Sequence, residues 1–208
     1  MQSLGNIEGK LYDMEYKVYR DENTIEKFQF LAEMRLKEFA KFPYLYQGSM
    51  AEEKEYAKKY QVPGAILITC SVAGEDIGVI SGYPYQYNQG KSAKVEVELA
   101  TMGMAMDEIY YIGEVILIEK YRNQGIGKQL EKMLVDIIKK EYKYALVITV
   151  ERSLDDPDRP EGYRYKNGLR EGTGFKRLQN EIVYSWPVKR KSGISEEENV
   201  VSVWVKNI

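Results

Sequence analysis

The sequence predicts a mixed α/β fold of about six to seven strands interspersed with helices. Three observations carry this. Residues 110–150 read as strand, glycine turn, amphipathic helix and strand, a parallel pair joined by a crossover. Residues 65–87 hold two apolar runs around Gly74-Glu75-Asp76, a hairpin signature. The other apolar stretches show strand or helix spacing with no repeat or linker between them, so residues 1–208 read as a single domain.

In chain order, Leu11–Tyr19 alternates and reads as a first strand. Asn23 and Thr24 offer caps for a helix that carries Ile25, Phe28, Leu31, Ala32, Met34 and Phe39 and stops before Pro43. The charged stretch Ala51–Tyr60 reads as a short helix. Ile66, Leu67 and Ile68 mark a buried strand over 65–72, with 77–87 as its partner. Over 93–106, Val95, Val97 and Leu99 alternate, but Leu99, Met102 and Met106 have helical spacing, and the helix is preferred. Tyr110–Ile118 is a strand. Gly127–Tyr142 is a helix with Leu130, Met133, Leu134, Ile137 and Ile138 on one face, and Tyr144–Val150 is the next strand. Glu161–Arg170 reads as a helix ended by Gly172 and Gly174. Phe175–Trp186 reads as a strand, Val188–Asn199 as a charged loop, and Val200–Val205 as a last strand.

Histidine is absent, which excludes Ser-His-Asp and Cys-His chemistry and histidine-based metal sites. A general base must then be a carboxylate, tyrosine, lysine, thiolate or water. Thirty Lys and Arg against 32 Asp and Glu give a formal charge of −2, so nothing in the balance calls for a nucleic-acid or membrane partner. Cys70, the single cysteine, cannot form an intrachain disulfide, which fits a cytoplasmic location. It lies in an apolar run and reads as a buried structural thiol. Residues 1–10 lack a signal-type apolar segment, and no apolar run approaches the ~18 residues of a membrane span.

The densest signal is Arg122-Asn123-Gln124-Gly125-Ile126-Gly127-Lys128, set between a strand and a helix. A helix N-terminus presents unpaired N–H groups and a partial positive charge. Glycines there let the backbone close on an anion, and Arg122 and Lys128 can add countercharge. A nucleotide P-loop fails because Gln129 stands where Ser or Thr is required. A dinucleotide fingerprint is weakened by Leu130 at the third glycine position, although Glu151 lies near the place of a ribose-binding acid.

Ile116-Leu117-Ile118-Glu119-Lys120-Tyr121-Arg122-Asn123-Gln124-Gly125-Ile126-Gly127 closely resembles the acetyl-CoA motif of the GNAT superfamily of N-acetyltransferases. The order of elements from about Leu11 to Val205 resembles that family as well. The resemblance implies a GNAT-like central mixed, twisted sheet of about six to seven strands flanked by helices on both faces, and acetyl-CoA as co-substrate, with direct transfer to an amine of a small molecule or protein and no metal. It implies that main-chain groups of Leu117 and Ile118 bond the pantetheine arm. It also implies that N–H groups of Asn123, Gln124, Gly125, Ile126, Gly127 and Lys128 hold the diphosphate beside Arg122. The tail with Trp204 resembles the final strand of some members, a structural strand or a homodimer contact.

Glu114 is the first candidate for the base. It is a lone carboxylate in an apolar strand, where in plain alternation it shares a face with Ile112 and Ile116, and burying an unpaired charge is costly. The competing view is a structural carboxylate paired with arginine or bonded to backbone. Glu151, at the end of the next strand, is the second candidate. Family members use a tyrosine acid four residues before a Gly-Phe pair, but before Gly174-Phe175 that position holds Arg170. Tyr165 and Tyr163 are the candidate substitutes. Tyr83, Tyr85, Tyr87, Tyr110 and Tyr111 could wall an acceptor pocket or simply pack the sheet. Two rival functions stay open: a coenzyme A-binding module without catalysis, and a nicotinamide-dependent oxidoreductase.

Overall fold

The computed structural model describes residues 2–7, 10–163 and 167–208, with side chains over 13–163 and 170–208. The strands are β1 (Gln2–Ile7), β2 (Lys10–Arg20), β3 (Ile66–Val72), β4 (Glu75–Pro84), β5 (Ile109–Leu117), β6 (Tyr144–Val150), β7 (Lys176–Arg190) and β8 (Gly193–Asn207). They form one sheet in the order β1-β2-β3-β4-β5-β6-β8-β7. The helices are α1 (Phe28–Phe39), α2 (Met50–Ala57), α3 (Ala93–Thr101), α4 (Ile126–Ile138) and α5 (Asn167–Gly172).

Burial explains the layering. β3 is buried at every residue, as a strand covered on both faces must be. On one face, Ile126, Leu130, Leu134 and Ile138 of α4 pack on Ile68, Ile80, Tyr110, Ile112 and Val147. Their i, i+4, i+8, i+12 spacing is the stripe that a sheet-packed helix needs. On the other face, Phe28, Leu31 and Met34 of α1, with Ala57 of α2, cover Leu67, Val79, Tyr83 and Ile116. Val95 and Leu99 of α3 cover Leu146, Val150, Ile182 and Val203. Each such side chain contributes roughly 1.5–3 kcal/mol on burial.

The expected mixed sheet with helices on both faces is present. Among the described residues it has eight strands, because β1 adds an edge that the polar residues 1–10 did not announce. Among the eight, only β5 and β6 are parallel, so the doubly wound sheet of a dinucleotide enzyme is not here. Residues 93–101 are helical, as preferred. Asn23 and Thr24 do not cap a long helix. Residues 21–27 form a 3₁₀ turn, inside which Thr24 Oγ1 donates to the carbonyls of Asp21 (2.7 Å) and Tyr60 (2.9 Å). The helix expected over 161–170 is confined to Asn167–Gly172 within the described residues. The charged loop expected over 188–199 is instead a hairpin, with Arg190 opposite Gly193 and Val188 opposite Ser195. Its charges pair across the ribbon: Arg190 bonds both oxygens of Glu197, at 2.8 and 2.9 Å.

One backbone irregularity changes which residues share a face. Ser81 pairs with Glu114 and Gly82 with Ile112, so Gly113 is an extra residue, a β-bulge. Tyr110 and Ile112 face α4, but after the bulge Val115 and Leu117 take over that face. Glu114 therefore does not share a face with Ile112. It turns with Ile116 towards α1 and α2, where Tyr60 lies. A Cβ at position 113 would collide with the Tyr60 hydroxyl, so the bulge needs glycine.

Candidate active site

Pairing between β5 and β6 runs only from Ile109–Tyr144 to Ile112–Val147. Beyond that point the strands part, because β6 continues beside β8 while β5 follows β4. The β6-facing edge of β5 from Gly113 to Leu117 thus has no strand partner. The gap is a narrow channel of about 50 Å³ lined by Gly113, Glu114, Val115, Val147, Thr149, Tyr163 and Arg170, among others. It meets a cavity of about 420 Å³ on the α1–α2 side. Gly113, Glu114, Phe39, Tyr44, Ile148 and Val150 line both spaces.

Below the gap stands the start of α4. Asn123 (φ 62°) and Gly125 (φ 83°) are both left-handed, and they turn the chain sharply into the helix. No side chain caps it, and its first turn carries no acid. By contrast, α2 opens with a full capping box between Ser49 and Glu52. The first-turn N–H groups of α4 therefore have no side-chain acceptor among the described residues, and Lys128 beside them is exposed. A Cβ at Gly125 would meet only open space, and at Gly127 it would make ordinary contact with Leu117 (3.7 Å) and Val115 (3.9 Å).

The other residues expected at the turn have partners already. Arg122 pairs with Glu38 and donates from Nε to the Leu117 carbonyl at 3.1 Å, so it braces the turn from outside. The Ile118 N–H goes to the Ile77 carbonyl and the Ile118 carbonyl accepts from Tyr121, both at 2.9 Å. Gln124 Nε2 bonds the Lys120 carbonyl at 3.0 Å.

Glu114 is at the centre of the site, with a side chain only 1% exposed. Oε1 accepts from Arg35 Nη1 and from Tyr56 Oη (2.6 Å), while Oε2 accepts from Tyr60 Oη and Ser81 Oγ. A carboxylate has about four acceptor sites, and all are taken. Arg35 also bonds Glu53 (2.5 Å) and stacks 3.7 Å from the Tyr56 ring centre. Burial, joined by the nearby Glu114 charge, pushes the Tyr56 and Tyr60 hydroxyls well above the usual phenol range. Burial opposes charge on Arg35 as well, but Tyr56, Glu114 and Glu53 outweigh it and hold the guanidinium protonated. Lys59, also on the cavity wall, is lowered by burial.

The remaining candidates separate. Glu151 follows β6, reaches Arg177 at 3.6 Å and is not among the residues lining the channel or the cavity. Tyr165 lies outside the described residues. Tyr163 lines the channel edge-on to Phe42, 4.7 Å between ring centres. Arg170 is 6% exposed, lines the channel and binds Glu131 of α4 at 2.8 Å. Of the tyrosine cluster, Tyr83 and Tyr111 line the cavity, whereas Tyr110 lies under α4 and Tyr87 is exposed. Cys70 is fully buried, and burial pushes its thiol up to about 11, which suits a structural thiol.

Sequence reasoning missed Arg35, Tyr44, Glu53, Tyr56, Tyr60 and Ser81. No sequence signal marks them: Glu53 is buried, yet in sequence it stands between Glu52, Lys54 and Glu55 with nothing to set it apart. Tyr44 is held by its carbonyl, which accepts from Trp186 Nε1 (3.1 Å) and Arg152 (3.3 Å), and by a flat stack on Phe39 (4.2 Å).

A splayed strand pair thus stands above an uncapped helix, and the gap between the strands meets an aromatic cavity. The chain belongs to the acetyltransferase (GNAT) family, whose family model matches residues 30–159. No curated protein sequence matches it. Solved structures share the fold. Ribosomal-protein-alanine N-acetyltransferase from Brucella melitensis is 11% identical over 92% of this chain and 99% of its own, with a TM-score of 0.58. A GNAT family acetyltransferase from Elizabethkingia anophelis with acetyl-CoA bound is 17% identical over 94% and 98%, TM-score 0.54. NAA60 of Arabidopsis thaliana, in complex with a bisubstrate analogue, is 10% identical over 94% and 98%, TM-score 0.56. Among the described residues, no helix is long and apolar enough to cross a membrane.

Proposed function

We propose that this acetyltransferase moves the acetyl group of acetyl-CoA directly to a primary amine of a small molecule held in the aromatic cavity. The observation that carries the proposal is the junction at Gly113 and Glu114, where the channel between β5 and β6 opens into that cavity. On the donor side, the open N–H groups from Asn123 to Lys128 fit a diphosphate, and the free edge of β5 down to Leu117 fits a pantetheine arm. Acetyl-CoA supplies an activated acyl carbon; the chain positions it and handles the protons.

On the acceptor side, Glu52, Glu53 and Glu114 face Arg35 and Lys59, one net negative charge inside walls built from Tyr46, Tyr56, Tyr83, Tyr111, Tyr184 and Trp186. Aromatic faces and excess carboxylate attract an ammonium group, and the volume suits a small molecule. Such an amine, with a pKa of about 10, must shed a proton before it attacks. Glu114 has no free lone pair, so it acts as base through Tyr56. The amine proton passes to the Tyr56 oxygen as the Tyr56 proton moves to Glu114.

The test is to mix protein, acetyl-CoA and a panel of small primary amines and follow free thiol. Turnover with at least one amine is expected. Tight coenzyme binding with no turnover on any amine would leave a coenzyme-binding module instead.

A further inference from the structure

We infer that Tyr44 is the proton donor to the departing sulfur and that Arg170 is its positioning residue, an assignment that rests on the acetyltransferase reading above. Tyr44 comes from the loop between α1 and α2, far in sequence from the coenzyme turn, yet it lines both the channel and the cavity. Its ring and its main chain are both fixed by the Phe39 stack and the two bonds to its carbonyl. The loop itself is tied to β7, with Gln47 N–H on the Pro187 carbonyl and Lys189 N–H on the Leu45 carbonyl, both at 2.8 Å. Among the described residues its hydroxyl makes no hydrogen bond, so the one polar atom of this clamped side chain is left for a ligand.

Arg170 enters the channel from α5, held by Glu131. Burial raises the Tyr44 hydroxyl above its ordinary range, and the Arg35 and Arg170 charges pull it back down while Glu114 opposes them. A phenol that stays protonated at neutral pH but sits beside a fixed cation can release its proton when a thiolate forms next to it.

The step balances. The amine nitrogen bonds the carbonyl carbon, the carbon–sulfur bond breaks, and its electron pair stays on sulfur. Tyr44 gives sulfur its proton, and the phenolate is stabilised by Arg170 until water returns a proton. The ammonium sheds one proton to solvent before the attack, and the nitrogen, once bonded to carbon, gives up its second through Tyr56 to Glu114, which returns it by way of Tyr56 to solvent as the product leaves.

The experiment compares acetyl-CoA with its selenium analogue, whose leaving selenolate needs no proton at neutral pH. Tyr44→Phe should lose about 10²-fold in kcat with the thioester but no more than about threefold with the selenoester. The double variant Arg170→Gln with Glu131→Gln, which removes the buried charges together, should show the same donor-dependent loss to a smaller degree. Equal losses on both donors, or no loss in Tyr44→Phe, would overturn the assignment. A wild-type protein inert with both donors would instead overturn the acetyltransferase reading beneath it.

Discussion

The Tyr56 hydroxyl donates to the Glu114 carboxylate across 2.6 Å, while the Arg35 guanidinium lies on the Tyr56 ring and bonds the same oxygen. This makes the two residues separable by mutation. Tyr56→Phe removes the relay and leaves the Arg35–Glu114 pair intact, so kcat should fall by about 10²-fold with coenzyme affinity nearly unchanged, while the lost hydrogen bond to a buried carboxylate costs about 1.5–3 kcal/mol of stability. Glu114→Gln should lower turnover and also destabilise by about 3–5 kcal/mol, since it breaks a buried ion pair from one side. Thermal melts alongside steady-state kinetics check both. Full turnover in Tyr56→Phe across pH would remove the relay.

Gly127→Glu should abolish coenzyme binding without harming the fold. The Cβ has room, and a carboxylate in the first turn of a helix is favourable by roughly 0.3–1 kcal/mol when no ligand is there. The same charge repels a diphosphate. The expected result is an unchanged or slightly raised melting temperature with loss of measurable coenzyme A binding by calorimetry. Retained affinity would place the diphosphate elsewhere.

Arg122 is a brace, and that has a consequence for salt and for mutation. It pairs with Glu38, whose side chain is 2% exposed, so Arg122→Ala leaves a buried carboxylate with Lys41 alone. The pair of changes Arg122→Met and Glu38→Gln removes both charges at once. Coenzyme affinity in that double variant should stay within about threefold of wild type. A direct charge-assisted bond to the diphosphate would be worth about 1.5–3 kcal/mol, so a loss beyond tenfold would show that Arg122 touches the ligand.

The crossover unit that carries the glycine turn was legible because its signals are local. The stripe Ile126, Leu130, Leu134 and Ile138, the two glycines and the flanking strands all lie within one crossover unit. The cluster around Glu114 is built from residues 33 to 79 positions away from it. In sequence, Arg35, Glu53 and Tyr56 look like solvated helix faces. The bulge at Gly113 defeats simple alternation, since one inserted residue exchanges every later face of the strand. Residues 188–199 read as loop because, between buried Val188 and buried Asn199, their charges lie on a ribbon exposed on both sides, where no apolar alternation is required.

Glu98 predicts how stability responds to acid. In β7, Arg177 pairs with Trp204 and Glu181 with Ser202, which leaves residues 178–180 bulged out of the ladder. Glu98 of α3 satisfies the freed groups, accepting from Gln179 N–H (2.6 Å), Asn180 N–H (2.9 Å) and Asn180 Nδ2 (2.6 Å). Burial disfavours its charge, but these three bonds outweigh burial and hold its pKa below the ordinary carboxylate value of 4.5. A carboxyl with a lowered folded pKa contributes stability that is fully present above its unfolded pKa and is lost as pH falls through the folded value. Glu98→Gln should therefore melt lower than wild type at neutral pH, with the gap closing below pH 4.5 as wild-type Glu98 takes up its proton. Melting curves of both proteins across the acid range test this, and a gap that stays constant with pH would show that the carboxylate charge does not hold the bulge.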